Sequence, residues 1–350
     1  FPEIGNSDLN QSFEVINEVS QAISINSFDE SNFGYLVNDF QLARVPIFLK
    51  EADGNSQVTF FLHTPWPKSA IHNIYGIKIL QFLATGMLAA DVIQFQTATD
   101  LQAFEKFVLD FLPSATDSAK LVVNPVSVDV QVLQKQAFEA VNQIDLRDEE
   151  ISYVHIARSD PIKNTLATIA AFTQLALACN GTQPRRFLDL YIVPSRQQWT
   201  EYQDLLSEIS RSVANGNAEL AFLNYSPIRL HIGNDYELTT QALLRYDYLL
   251  ICSAADGLNL VVKEGAALNS RNGVIVSTAT VGAMAQLGNL CVVADGPDQD
   301  SIFAALQMAE NLEQDTRHAM ALQLKQQVEE FDSSRWAQSI MESFKILEAV

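Results

Sequence analysis

Asp256-Gly257-Leu258-Asn259-Leu260, followed by Lys263-Glu264, comes directly after the apolar run Tyr248-Leu249-Leu250-Ile251-Cys252. The order reads as a strand, a tight turn at Gly257 and a helix starting near Asn259. In an α/β protein such a turn stands at the carboxyl edge of a sheet. Ligands bind there, and free helix amides and the helix dipole favour an anion. Glu264 lies between one and two turns into the helix, where a carboxylate can accept hydrogen bonds from a ribose diol. The same residues have a structural use, with Asp256 as an N-cap and Glu264 as a solvated helix residue.

A second cluster has the same layout. Ile151-Ser152-Tyr153-Val154-His155-Ile156-Ala157 alternates like a strand and runs into Arg158-Ser159-Asp160-Pro161-Ile162-Lys163-Asn164. A long apolar helix, Leu166 to Leu177, follows. Two cations five residues apart can clamp a diphosphate, Arg158 with its planar fork and Lys163 as a point charge. Both could equally be ordinary surface cations. The chain is poor in cations, with Lys+Arg 22 against Asp+Glu 42, which makes two at one turn more informative.

Together these segments resemble the donor-site motifs of trehalose-6-phosphate synthase and its relatives, glycosyltransferase family 20. That group includes glucosylglycerol-phosphate synthases and pseudo-glycosyltransferases. Other segments match in family order. Val37-Asn38-Asp39-Phe40-Gln41-Leu42 is similar to the "HDYHL" segment. Phe60-Phe61-Leu62-His63-Thr64-Pro65-Trp66-Pro67 is similar to "FLHIPFP". Val193-Pro194-Ser195-Arg196, with Glu201-Tyr202-Gln203 after it, is similar to "PSR…EYQ". The resemblance runs from Asn10 to the C-terminus.

The resemblance implies an α/β fold of two Rossmann-like domains facing each other across a cleft, the GT-B architecture. An acceptor-side domain is expected over 1–148 and a nucleotide-sugar-binding domain over 149–332. A last helix, 333–350, is expected to cross back to the first domain. Nothing before Asn10 resembles the strand and glycine-rich loop with which the family begins, so the first domain is expected to lack both. The implied reaction moves a glucosyl unit, with retention, from a nucleotide-diphosphate sugar to a phosphorylated sugar. UDP-glucose is the first choice of donor, with GDP- or ADP-glucose as options. Arg158 and Lys163 would stabilise the departing diphosphate. Asp256, Gly257, Leu258, Asn259, Leu260 and Glu264 would complete the donor site. His63 would contact the donor sugar near the reacting carbon. Asp39 would face the acceptor beside Phe40, and Arg196 would bind the acceptor's phosphate. No metal or other cofactor is implied.

The departures leave the acceptor open. Asn38, Phe40 and Gln41 stand where the family has His, Tyr and His, and Asn164 replaces a glycine. Phe40 lacks a hydroxyl that would face the acceptor. A glycerol 3-phosphate or cyclitol phosphate acceptor is one alternative, and a catalytically degenerate donor-binding or regulatory subunit is another. Structural uses also exist. Asp39 could cap the turn from Phe40, Ser195 could cap the following helix, and Arg196 could lie in solvent. The only Asp-x-Asp, Asp298-Gln299-Asp300, reads as a cap and first-turn acid of the next helix.

Composition sets the remaining bounds. The 350 residues suggest about two domains. A net charge of −20 argues against nucleic acid and anionic membranes as partners. No uninterrupted apolar run reaches about 18 residues, so a membrane span is not expected, and Phe1 to Asn10 has no signal-peptide pattern. Cys179, Cys252 and Cys291 lie in apolar segments and read as reduced core residues of a cytoplasmic protein. A homo-oligomer is left open. Strand-like and helix-like segments alternate throughout, with polar Asn142 to Glu150 separating the halves, which predicts parallel sheets.

Overall fold

The structure is a computed structural model that describes residues 6–29, 34–67, 73–115, 119–141 and 150–348. The polar segment expected to divide the halves lies outside the described residues except for Glu150. The chain forms two compact units, Phe1–Val126 with Arg335–Val350, and Ser127–Ser334.

Unit 1 begins with α1 (Asn6–Ser27), then β1 (Tyr35–Asn38), α2 (Val45–Ala52), β2 (Val58–Leu62), α3 (Ile74–Met87), β3 (Val92–Phe95), α4 (Ala98–Phe111) and β4 (Lys120–Val123). The strands form one parallel sheet in the order β1-β2-β3-β4. Every residue of β2 and β3 is buried, as expected of central parallel strands covered on both faces, and apart from Thr59 and Gln94 their sequences are apolar. Phe60, Leu62, Ile93 and Phe95 pack with Leu49, Met87 and Phe104 from the helices. Buried Asp100 links the loop after β2 to this layer. Its carboxylate accepts from the Trp66 amide at 3.3 Å and the Thr97 hydroxyl at 2.6 Å, while Thr97 caps α4.

Unit 2 holds α5 (Val130–Val141), β5 (Glu150–Arg158), α6 (Thr165–Cys179), β6 (Arg185–Val193), α7 (Thr200–Glu219), β7 (Ile228–Ile232), α8 (Tyr236–Arg245), β8 (Tyr248–Ile251) and α9 (Leu260–Leu268). It continues through β9 (Val274–Thr278), α10 (Met284–Leu287), β10 (Val292–Ala294), α11 (Gln299–Glu310) and α12 (Gln314–Glu330). The last helix, α13 (Ser333–Glu348), has nearly all its residues in unit 1, where Ser343 meets Thr59 at 3.0 Å. The six strands are parallel in the order β10-β9-β8-β5-β6-β7. This is the doubly wound order, and its reversal point lies between β5 and β8.

Two expectations need adjusting. The break between units falls at Val126/Ser127 rather than near 148, because α5 packs on α8 and α9 of unit 2. Pro161–Cys179, a 3-10 turn plus α6, is by length and composition apolar enough to cross a membrane. Here one side of it is core: Ile169, Phe172 and Leu175 are buried, and α6 packs on α7 and α11.

His155 joins β5 to β8 and to the first residue of α6. One ring nitrogen meets the Leu250 carbonyl at 2.8 Å and the other the Thr165 hydroxyl at 3.1 Å. Burial pushes its pKa down to about 4. Between pH 6.5 and about 4 the unfolded chain therefore takes up a proton that the folded chain refuses, so stability falls with pH across that window. The expected slope from this residue approaches about 1.4 kcal/mol per pH unit. Denaturant unfolding of wild type and His155→Gln should give stability-versus-pH curves that diverge by this slope; parallel curves would contradict it.

Candidate functional site

The sequence-predicted residues fall into two groups, one in each unit. In unit 2, Arg158 ends β5, and Asp256 to Asn259 follow β8, so both stand at the carboxyl edge beside the reversal point. Three contacts stitch the two loops together. The Ala254 amide donates to the Ile162 carbonyl at 2.8 Å, and the Asn164 side-chain amide donates to the Cys252 carbonyl at 3.0 Å. The Lys163 ammonium sits 2.5 Å from Asp256 Oδ2. Asp256 Oδ2 also accepts from Asn259 at 2.8 Å and from the Ser253 hydroxyl at 3.3 Å. Asp256 is thus a hub rather than an N-cap. The cap of α9 is Asn259, whose side chain accepts from the Val261 amide.

Gly257 occupies a turn pressed against a second backbone. The Asp256 amide donates to Thr280, the Gly282 amide to Asp256 and the Ala283 amide to Leu258. A Cβ on Gly282 would lie 1.9 Å from the Gly257 carbonyl oxygen. Leu258 is buried and Leu260 opens α9 half-exposed. Lys263 is buried within α9, and burial pushes its pKa down to about 8. Glu264 is partly buried, and burial raises its pKa. Its carboxylate makes no hydrogen bond or ion pair to a described residue, and neither does the guanidinium of exposed Arg158. A free guanidinium, a free acceptor and helix amides at one sheet edge suit an anion joined to a diol.

Arg196 follows β6 with φ 47°. Its guanidinium lies over the Tyr202 ring, donates to the Tyr202 hydroxyl, and reaches Asp160 Oδ2 at 3.5 Å. Its side chain remains half exposed. Ser195 does not cap α7, which starts after Trp199; its amide donates to the Ser159 hydroxyl instead. Asp298 does cap α11, accepting from the Ser301 amide.

In unit 1, Asp39 has φ 67° and ψ 166°, a conformation almost confined to glycine, and such strain collects at functional positions. It does not cap the turn Phe40–Leu42. Its Oδ1 instead accepts from the amides of His63 and Thr64 at 3.2 and 3.3 Å and from the Thr64 hydroxyl at 3.2 Å. Asp39 therefore holds the loop that carries His63. Burial lowers the His63 pKa, partly opposed by the Asp39 charge. The His63 ring tilts onto Phe61, and its nitrogens meet Asn38 at 3.0 Å and Gln96 at 3.2 Å. Phe40 is largely exposed. Gln96 and Ser253 were not legible as site residues, since neither residue type nor spacing marks them.

A turn held by backbone on both sides should not tolerate a methyl group. Gly282→Ala is expected to cost about 1–3 kcal/mol of unfolding free energy. Urea denaturation checks this; wild-type stability would show that the turn is not tight.

The model of glycosyltransferase family 20 matches residues 10–346. A validamine 7-phosphate valienyltransferase from Streptomyces hygroscopicus subsp. jinggangensis is 29% identical over 291 residues, 78% of this chain and 57% of that protein. A UDP-forming α,α-trehalose-phosphate synthase from Candida albicans is 25% identical over 327 residues, 87% of this chain and 68% of that protein. The chain thus spans somewhat more than half the length of the first of these. The crystal structure of a UDP-forming α,α-trehalose-phosphate synthase from Burkholderia xenovorans superposes with a TM-score of 0.86 at 21% identity, covering 96% of this chain and 79% of that one. The fold is of the GT-B type, and the chain belongs to glycosyltransferase family 20.

Proposed function

We propose that the chain carries a retaining glycosyltransferase activity of the trehalose-6-phosphate synthase kind, moving a glucosyl unit from a nucleotide-diphosphate sugar to a phosphorylated acceptor. The observation that carries this reading is the sheet edge at β5 and β8. The side chains of Arg158 and Glu264 there have no hydrogen-bond or ion-pair partner among the described residues, and Lys163 is held at the same edge by Asp256. Charge builds on the diphosphate as the glycosyl bond breaks. Arg158, Lys163 and the positive end of the α9 helix dipole are preorganised for that charge. Glu264 is suited to the ribose hydroxyls. Arg196, braced by Tyr202 and Asp160, is suited to the acceptor's phosphate.

A second reading keeps the donor and changes the acceptor to a cyclitol or polyol phosphate. Phe40 in place of a tyrosine favours it, as does the likeness to proteins named for validamine 7-phosphate.

Calorimetry with UDP, GDP and ADP tests the donor site. One nucleotide should bind, Arg158→Ala should weaken it by about 1.5–3 kcal/mol, and EDTA should leave it unchanged. Absence of binding, or equal affinity in the variant, would refute the donor reading. A strict requirement for Mg²⁺ or Mn²⁺ would refute its independence of metal. For the acceptor, UDP-glucose is incubated with glucose 6-phosphate, glycerol 3-phosphate and glucose. Product is expected only with the phosphorylated compounds. Arg196→Ala should raise the acceptor KM far more than the donor KM. Turnover of free glucose at the same rate would make Arg196 a surface residue. Donor binding without turnover on any acceptor would favour a regulatory subunit.

A further inference from the structure

Gln96 decides what His63 can do. The Val126 amide donates to Gln96 Oε1 at 2.9 Å. A backbone amide can only donate, so this bond fixes the side chain's orientation and turns its NH₂ group toward the imidazole. That NH₂ lies 3.2 Å from His63 Nδ1. Nδ1 must then offer a lone pair, and the single proton of the neutral ring sits on Nε2. Nε2 in turn faces Asn38 Oδ1 at 3.0 Å, an atom that can only accept. The relay runs from Val126 through Gln96 and His63 to Asn38 with every donor matched to an acceptor. Gln96 is 4% exposed, so its end of the relay is closed to water, whereas Asn38 is exposed and the outer end is open.

We infer that Gln96 is a positioning residue that locks His63 as a neutral Nε2–H hydrogen-bond donor, and that a ligand hydroxyl enters between His63 and Asn38, accepting the Nε2–H that Asn38 now holds and donating to Asn38 Oδ1. A hydroxyl is the group that can accept from one atom and donate to the other. Asn38 supplies the acceptor half of the pair, and the locked tautomer leaves His63 unable to take a proton through Nε2. His63 therefore orients a sugar or polyol hydroxyl and does not act as a general base. The strained Asp39 next to Asn38 supports this division of labour. Its carboxylate grips the His63 and Thr64 amides, so the loop that presents the imidazole is fixed from the backbone side while Gln96 fixes the ring. The ring's tautomer follows from the hydrogen bonds alone; the identity of the hydroxyl rests on the proposed function.

The test is ¹⁵N NMR of the full chain labelled at histidine, with His63 assigned by His63→Gln. Wild type at neutral pH should show Nδ1 at the unprotonated position and Nε2 at the protonated one. Gln96→Glu places a carboxylate against Nδ1, and should move the proton there, giving the other tautomer or the imidazolium. Gln96→Leu should give a mixture of tautomers. A protonated Nδ1 in wild type, or an unchanged pattern in Gln96→Glu, would overturn the role of Gln96. Far-UV circular dichroism and thermal unfolding must show that both variants fold; should Gln96→Glu fail, Gln96→Leu and wild type decide. UDP-glucose, glucose 6-phosphate and UDP are then added separately. At least one of the two sugars should shift the His63 Nε2 signal, and UDP alone should not. If no sugar shifts it, hydroxyl recognition is overturned even if the tautomer is as inferred. If UDP-glucose and UDP both fail to bind at all, it is the donor-site reading that fails, and the tautomer result stands apart from it.

Discussion

The Lys163–Asp256 ion pair is the contact on which the ligand edge of unit 2 depends. Both side chains are largely buried, at 13% and 11% exposure. Taking two charges from water costs several kcal/mol per ion, and close geometry with additional hydrogen bonds must offset it. Asp256 meets that condition by accepting from Asn259 and Ser253 on the same oxygen that holds Lys163. The pair therefore fixes three things together: the ammonium's direction, the cap of α9, and the loop between β8 and α9. An incoming diphosphate would compete with Asp256 for one cation. Asp256 would not then be stranded, because its two neutral donors remain.

Unit 1 uses a different device for the same end. There a backbone conformation unsuited to a side chain is held in place by the side chain itself. Asp39 at φ 67° is stabilised by donors from the β2 loop, and that loop is secured again through the Trp66 amide and buried Asp100. The chemistry-bearing residues thus sit on segments that pack and hydrogen-bonding hold rigid, which is what precise orientation of a substrate needs.

Most of the fold was legible because parallel strands covered on both faces must be continuously apolar. Val58 to Leu62 and Tyr248 to Ile251 announce themselves in this way. Arg158, Lys163 and Asp256 were legible because cations are scarce and their spacing from strand ends is informative. The alternative capping roles fail where a local pattern is outcompeted by a tertiary partner. Asp39 and Ser195 both precede turns and look like caps, yet Asp39 bonds to the β2 loop and the Ser195 amide to Ser159. Gln96 was invisible because its importance comes from a backbone amide thirty residues away in sequence. The end of unit 1 differs from the expected boundary because α5 packs on α8 and α9, contacts far apart in sequence that no local pattern shows.

Asn164 has a consequence of another kind. It holds φ 59°, and its side-chain amide reaches the carbonyls of Cys252 and Pro297. A glycine here could adopt the same backbone angle, but it would leave the turn free to sample many others and would have nothing to fasten it. With Asn164, the cation-bearing turn, the end of β8 and the loop before α11 are one latched body before any ligand arrives. Less conformational entropy then remains to be lost on association, and more of each contact's energy appears as affinity. Such a turn trades adaptability for readiness: it is built to receive one anion geometry repeatedly, and poorly built to mould itself around several.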